Sequence, residues 1–274
     1  VYLDHKRAGG GEIRVLDRSQ NSLSTVKTYY SGMPTIVLEG DLLAWMERTG
    51  TNMDKVFLYD LRNRENMTAA MLERSVFGQS DVDICESEVV WADADPYAPR
   101  EQTDQQAVIN SLSLLPSTEA KKVQSYAPNT YVHDPKTNGT ARVWTDQRSG
   151  PAPKLYLSVN EGTPELLAEN VTGYDLGSDF VAYCADEVMY VYFWGARGFE
   201  RQVSLQGEKC IFSGVSNDTV FYYVTGGVSA NDIIKFVMVN EIDARSAGPA
   251  VPTLNILTTP TPISPAPAPE PGAS

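Results

Sequence analysis

Apolar and polar residues alternate with a period of two along most of the chain, in runs of four to eight residues broken by Gly, Pro, Asn and Asp, as half-buried β-strands require. The stretch Arg142–Val159 shows the unit. Val143–Asp146 ends one strand, Ser149-Gly150-Pro151 supplies turn chemistry, and Lys154–Val159 alternates again, so the unit reads as an antiparallel hairpin. No convincing amphipathic helix interrupts the series; the best candidate, Met67 to Ser75, fits a fourth strand or a loop equally well.

An aromatic followed two positions later by an acid marks a repeat. Tyr2-Leu-Asp4, Trp45-Met-Glu47, Trp91-Ala-Asp93 and Trp144-Thr-Asp146 carry it; Tyr183 and Tyr222 continue it in weakened form, with Asp186 one place late and Val224 in place of an acid. Successive aromatics stand 43, 46, 53, 39 and 39 residues apart, bracketing the roughly 40–45 residues of a four-stranded propeller blade. A second alternating strand follows each anchor, as in Val56–Asp60 and Met189–Phe193. A short apolar segment suited to an innermost strand precedes every anchor but the first: Thr35–Glu39, Ser80–Ile84, Asn129–His133, Val171–Asp175 and Cys210–Gly214.

The pattern predicts an all-β fold, a six-bladed β-propeller of four-stranded antiparallel blades over about 1–33, 34–78, 79–127, 128–169, 170–208 and 209–243. Repeat one begins at its second strand, and an open apolar sheet edge invites aggregation. Its inner strand is expected from residues 251–258 near the C-terminus, or else from residues upstream of Val1, since the chain starts without Met inside a strand-like stretch. From Ser246 the composition turns to Pro, Ala and Thr, so 259–274 reads as an extended tail or linker.

The repeats resemble those of the TolB-like six-bladed β-propellers, whose WD40-like unit has an apolar-aromatic strand end, an acidic turn with Arg and Gly, and a Tyr-rich strand. Val143–Gly150 with Leu155-Tyr-Leu157 matches best, then Ala44–Gly50 with Val56–Asp60. The resemblance covers residues 1 to about 243 and describes how a blade folds. It implies a disc-shaped scaffold, often of the bacterial cell envelope, that meets partners through its loops and central channel, and it supplies no catalytic residue.

Charge narrows the partners. A net charge of −13 and a pI near 4.6 exclude a nucleic-acid backbone, which needs clustered Lys and Arg. No run approaches the roughly 18 apolar residues of a membrane-spanning helix, so no membrane insertion is expected. Three cysteines, Cys85, Cys184 and Cys210, suit buried packing, with a Cys184–Cys210 bridge as the alternative.

The repeat acids Asp4, Glu47, Asp93, Asp146 and Asp186 would face one side of the disc. They read either as turn-stabilising groups or as a ring binding a cation or a basic partner; the turn role is preferred because a residue that recurs once per repeat usually serves the repeat. No metal motif surrounds His5 or His133, no nucleophile motif occurs, and no cofactor is expected. A carboxylate pair acting in glycoside or other hydrolysis stays open as a second function, because 35 acids are available.

Trp45, Trp91 and Trp144 are expected to wedge between blades, and Trp194, beside Gly195, to be exposed. With Asp95, Tyr97 and Arg100 of the insert 94–106, Trp194 forms the candidate binding set. Asn-x-Thr sequons begin at Asn66, Asn138, Asn170 and Asn217. The first function expected is a non-catalytic, extracytoplasmic and monomeric scaffold that binds a protein or glycan on one face.

Overall fold

The computed structural model describes residues 1–5, 10–30, 34–48, 53–73, 82–85, 87–94, 106–114, 120–128, 130–148, 152–195, 198–225 and 233–242. These residues form six consecutive antiparallel sheets, and the one helical element among them is a single 3-10 turn, Val239–Glu241. The first sheet holds β1 (Tyr2–His5), β2 (Gly11–Asp17) and β3 (Ser22–Tyr29); the second β4 (Thr35–Glu39), β5 (Leu42–Arg48), β6 (Met53–Asp60) and β7 (Glu65–Glu73). The third comprises β8 (Val82–Cys85), β9 (Glu88–Ala94), β10 (Gln106–Ser113) and β11 (Ala120–Pro128), and the fourth β12 (Thr130–Thr137), β13 (Ala141–Arg148), β14 (Lys154–Val159) and β15 (Glu165–Glu169). The fifth has β16 (Val171–Leu176), β17 (Phe180–Ala185), β18 (Val188–Phe193) and β19 (Phe199–Gln202), and the sixth β20 (Lys209–Ser216), β21 (Thr219–Thr225) and β22 (Ile233–Met238). Within every sheet the strands pair in chain order, each with its sequence neighbour.

Register explains the repeat. Trp45, Trp91, Trp144, Tyr183 and Tyr222 sit on β5, β9, β13, β17 and β21, the second strand of each sheet, and each packs into the core shared with the preceding sheet. Trp45 joins Ile13 and Tyr29 of the first sheet; Trp91 joins Ala44, Met46, Val56 and Leu58 of the second. Trp144 meets Ala92 and Ile109 of the third, Tyr183 meets Val143 and Leu155 of the fourth, and Tyr222 meets Ala182, Cys184 and Val191 of the fifth. Neighbouring positions on these strands face the other way, into the next core. Second strands are therefore buried on both faces and read as nearly continuous apolar runs, as Phe180–Ala185 does with all six residues buried. Cross-strand stacking of Trp45 on Phe57 (5.2 Å between ring centroids), Trp144 on Tyr156 (6.3 Å) and Tyr183 on Tyr190 (5.4 Å) adds to each wedge.

Some local readings shift. Met67–Ser75 lies largely in β7, a strand. Asn129–His133 catches only the start of β12, which continues to Thr137 across a bulge at Asp134-Pro135, with Asp134 at φ 52°. The bulge removes a proline from the ladder and lets the strand resume. Asp186 falls one place late because it sits in the two-residue Asp186-Glu187 turn, both residues with positive φ, while Ala185 holds the strand-end position. Cys85, Cys184 and Cys210 are buried and free, and the Cys184 thiol donates to the Cys210 carbonyl at 3.2 Å.

Replacing Trp144 by Ala should cost about 3–5 kcal/mol, the range for emptying a large aromatic site, and reversible urea unfolding measures it. A loss under 1 kcal/mol would show that the wedge does not hold the third and fourth sheets together.

Candidate functional site

The inner strands β4, β8, β12, β16 and β20 all end on the same side, where short turns lead into the second strands. There they and their turns surround a cavity of about 730 Å³. Position along each inner strand is set by pairing with the second strand. The residue eight places before each aromatic lies opposite the residue just before it: Val37 opposite Ala44, Asp83 opposite Val90, Lys136 opposite Val143, Asp175 opposite Ala182 and Gly214 opposite Phe221. These five positions are equivalent in the five sheets, so Lys136 stands at one level between Asp83 and Asp175 of the sheets on either side.

Both acids are fixed by hydrogen bonds to the sheet that follows or to their own strand. Asp83 accepts from the Thr137 N–H of the fourth sheet at 2.8 Å. Asp175 accepts from the Val215 N–H of the sixth at 3.3 Å and from its own neighbour Leu176 N–H at 3.0 Å. Burial pushes the Asp83 carboxyl up to about 6; Lys136 and the Thr137 N–H oppose the rise and Asp175 adds to it. The Asp175 carboxyl is also raised by burial, again against the pull of Lys136. Lys136 lies 3.6 Å from Asp134 of its own bulge.

Turns on the rim are tied sheet to sheet as well. Asn138 accepts from Thr140 and Ala141 N–H of its own turn and donates to the Gly177 carbonyl of the fifth sheet at 2.7 Å. The Ser178 hydroxyl donates to Asp218 of the sixth at 3.0 Å. A Cβ on Gly177 would stand 2.0 Å from the Phe180 ring, so the turn can approach that closely only as glycine. Behind the rim, Arg142 grips Glu88 through two buried side chains, with Nε 2.9 Å from both carboxylate oxygens, and the Thr137 hydroxyl donates to Glu88 at 2.7 Å. Glu39 and Asp218 are exposed at the cavity edge.

The residues singled out from sequence scatter. Asp95, Tyr97 and Arg100 lie outside the described residues. Trp194 follows β18 on the cavity side of the disc, half-buried and packed against the core between the fourth and fifth sheets. Asp4 pairs with Glu12 and Asp93 with Val108 in the ladders. Glu47 is buried, 3.8 Å from Lys27 of the first sheet. Asp146 is fully buried at a position paired with Lys154, whereas Asp186 is exposed in its turn. Second strands run away from the cavity, so the acids two residues past an aromatic stand toward the opposite side. Among the described residues no group of three or more His, Cys, Asp or Glu is placed to hold a metal ion, and no helix is long and apolar enough to cross a membrane. Sequence reading passed over Asp83, Lys136 and Asp175; counting eight back from each aromatic would have found them.

No family model matches the sequence, and no curated protein sequence matches it. Solved structures do. The β-propeller domain of the Trilobed protease from Pyrococcus furiosus, described as having an open velcro topology, superposes at TM-score 0.59 with 12% identity over 85% of this chain and 73% of that one. TolB from Acinetobacter baumannii gives 0.52 with 13% identity, over 87% of this chain and 60% of that one. The fold is a TolB-like β-propeller. Oligopeptidase B from Trypanosoma brucei gives 0.56 at 6% identity over 81% of this chain and 35% of that one. At these identities the likeness concerns the fold, and in a propeller the cavity ringed by inner strands is the mouth of the central channel.

The Asp83 environment makes stability depend on pH. Its folded value lies above the unfolded 3.8, so between those values the folded chain holds a proton that the unfolded chain releases, and stability falls as pH rises through about 6. Asp83→Asn should remove that dependence. The difference in unfolding free energy between wild type and variant should shift by on the order of 2–3 kcal/mol between pH 4 and 7, against the wild type at the higher pH; a flat difference would refute the assignment.

Proposed function

We propose that the chain is a non-catalytic binding scaffold, a six-bladed propeller that receives a polypeptide partner presenting a cationic side chain at the channel mouth. The observation that carries this is the mouth itself, an open cavity of about 730 Å³ lined by Glu39, Asp83, Asp175 and Asp218, four acids against Lys136 set between Asp83 and Asp175. Attraction between such a mouth and a basic segment favours encounter and orientation. The second reading, hydrolysis by a carboxylate pair, would draw on the same Asp83 and Asp175, whose carboxyls burial raises. What supports the binding role is that a backbone N–H of the next sheet holds each of them in the wall. Cell-envelope or secreted placement and a monomeric state belong to the same proposal; the Pro-, Thr- and Ala-rich end suits a surface spacer.

The six-bladed ring requires an inner strand beside β1, whose Tyr2 lies opposite Arg14 as Trp45 lies opposite Phe57. Residues 251–258, which lie outside the described residues, are proposed for it. The dozen residues after Val239 span roughly 40 Å when extended, ample for a neighbouring blade. Truncation after Ala244 should then lower the melting temperature by roughly 5–10 °C or more, and an unchanged melting temperature would reject this closure.

Binding is tested by titrating a tetralysine peptide at low ionic strength. Asp218→Asn combined with Glu39→Gln, both exposed, should weaken binding about tenfold and flatten its salt dependence. Equal binding of tetraglutamate, or no effect of the double variant, would count against the proposal.

A further inference from the structure

A second depression of about 370 Å³ opens between the fifth and sixth sheets. It shares Ser178, Asn217 and Asp218 with the channel mouth, so the two meet at one place, the turn joining β20 to β21. That turn holds Asn217 at φ 46° and Asp218 at φ 56°, the two successive left-handed residues of a tight hairpin, a conformation that Asn and Asp tolerate well. The turn and the Ser178–Asp218 hydrogen bond lie where the two depressions adjoin, and we treat them as a saddle that a bound chain would cross. Beyond it the depression changes chemistry: Phe193 and Met238 supply apolar surface, Asp179 a further carboxylate, and Val239 and Asn240 the far end. Met238 remains 36% exposed although its strand belongs to a core sheet.

From this continuity we infer that the partner is an extended peptide that crosses the saddle, setting a Lys or Arg in the channel mouth and a bulky apolar side chain against Met238 and Phe193. The inference rests on the binding role proposed above and adds the direction of the bound chain and its second determinant. Charge selects the occupant: Asp179 and Asp218 flank the passage and Glu39, Asp83 and Asp175 line the mouth, acids that outnumber the Lys136 set between the last two, which disfavours acidic chains and acidic glycans. A peptide fits the alternation better than a neutral sugar, because one end of the passage is lined chiefly by carboxylates and the other adds a thioether and a phenyl ring that aliphatic side chains can meet. Trp194 packs against the core between the fourth and fifth sheets and is not among the residues that line either depression.

Calorimetric titration of the full chain with two peptide sets tests this. One set carries a single Lys in an Ala/Gly/Ser background; the other adds a Leu at one to five residues on either side. At one spacing and direction Leu should raise affinity about tenfold, and Met238→Ser should reduce that gain below about threefold while leaving binding of the Lys-only peptides within twofold. Asp218→Asn should weaken both sets. Lys-only peptides that bind and respond to Asp218→Asn, with no gain from Leu at any spacing, would overturn the inference and leave the scaffold reading intact. Absence of binding by every basic peptide would overturn both. Displacement of the peptide by a neutral oligosaccharide of comparable affinity would overturn the peptide assignment. Circular dichroism melts of each variant separate lost binding from lost folding.

Discussion

Every sheet in this protein except the terminal ones must bury both faces, and the repeat aromatic on the second strand is what makes that possible. One side of the strand sends Trp or Tyr into the preceding core while the other sends small or branched residues, such as Ala44, Ala92, Val143 and Ala182, into the next. Large against small across each interface lets twisted sheets approach without voids. Five cores result among the described residues, one between each pair of consecutive sheets. Tyr replaces Trp in the fifth and sixth sheets, and Tyr183 there finds a hydrogen-bond acceptor in Glu200, which answers the polarity that the phenol brings into a core.

Around the channel the cohesion is polar instead of apolar. Asp83 and Asp175 accept hydrogen bonds from the next sheet's inner strand, Asn138 and Ser178 tie successive rim turns, and Glu88 with Arg142 and Thr137 joins the third sheet to the fourth. Such contacts add little net stability, because desolvation offsets much of the attraction in a buried pair. Their effect is on geometry. Each fixes the rotation of one sheet on another, and a half-satisfied version would cost more than an apolar replacement. Rim contacts thus hold the mouth in one shape, which reduces the ordering a ligand would have to impose.

Legibility from sequence followed the same division. Apolar alternation and the aromatic-x-acid spacing exposed the hairpins and the sheets they build, because strand period and wedge size are local and repeated. The rim network was not legible. Glu88 and Arg142 are 54 residues apart, and nothing local in either segment announces a partner in another sheet. Lys136 was lost for a different reason: Asp134-Pro135 reads as the end of a strand, whereas a bulge carries β12 past it. The acids two or three residues beyond most of the aromatics drew attention by repeating, yet they occupy dissimilar settings, from the fully buried Asp146 to Asp186 in its exposed turn.

That contrast suggests where function should be sought in a repeat fold. A position that keeps its chemistry in every repeat answers a demand that every repeat shares, and here that demand is packing. The position eight residues before the aromatic keeps its geometry but changes its chemistry at each sheet, from Val37 to Asp83, Lys136, Asp175 and Gly214. Backbone pairing sets these positions at the same level of the inner strands, where the core makes less claim on their identity than it does on the aromatics. Burial raises both the Asp83 and the Asp175 carboxyls, and Lys136 between them opposes that rise. A fold built by repetition thus acquires an asymmetric channel wall at the positions that packing leaves free to vary.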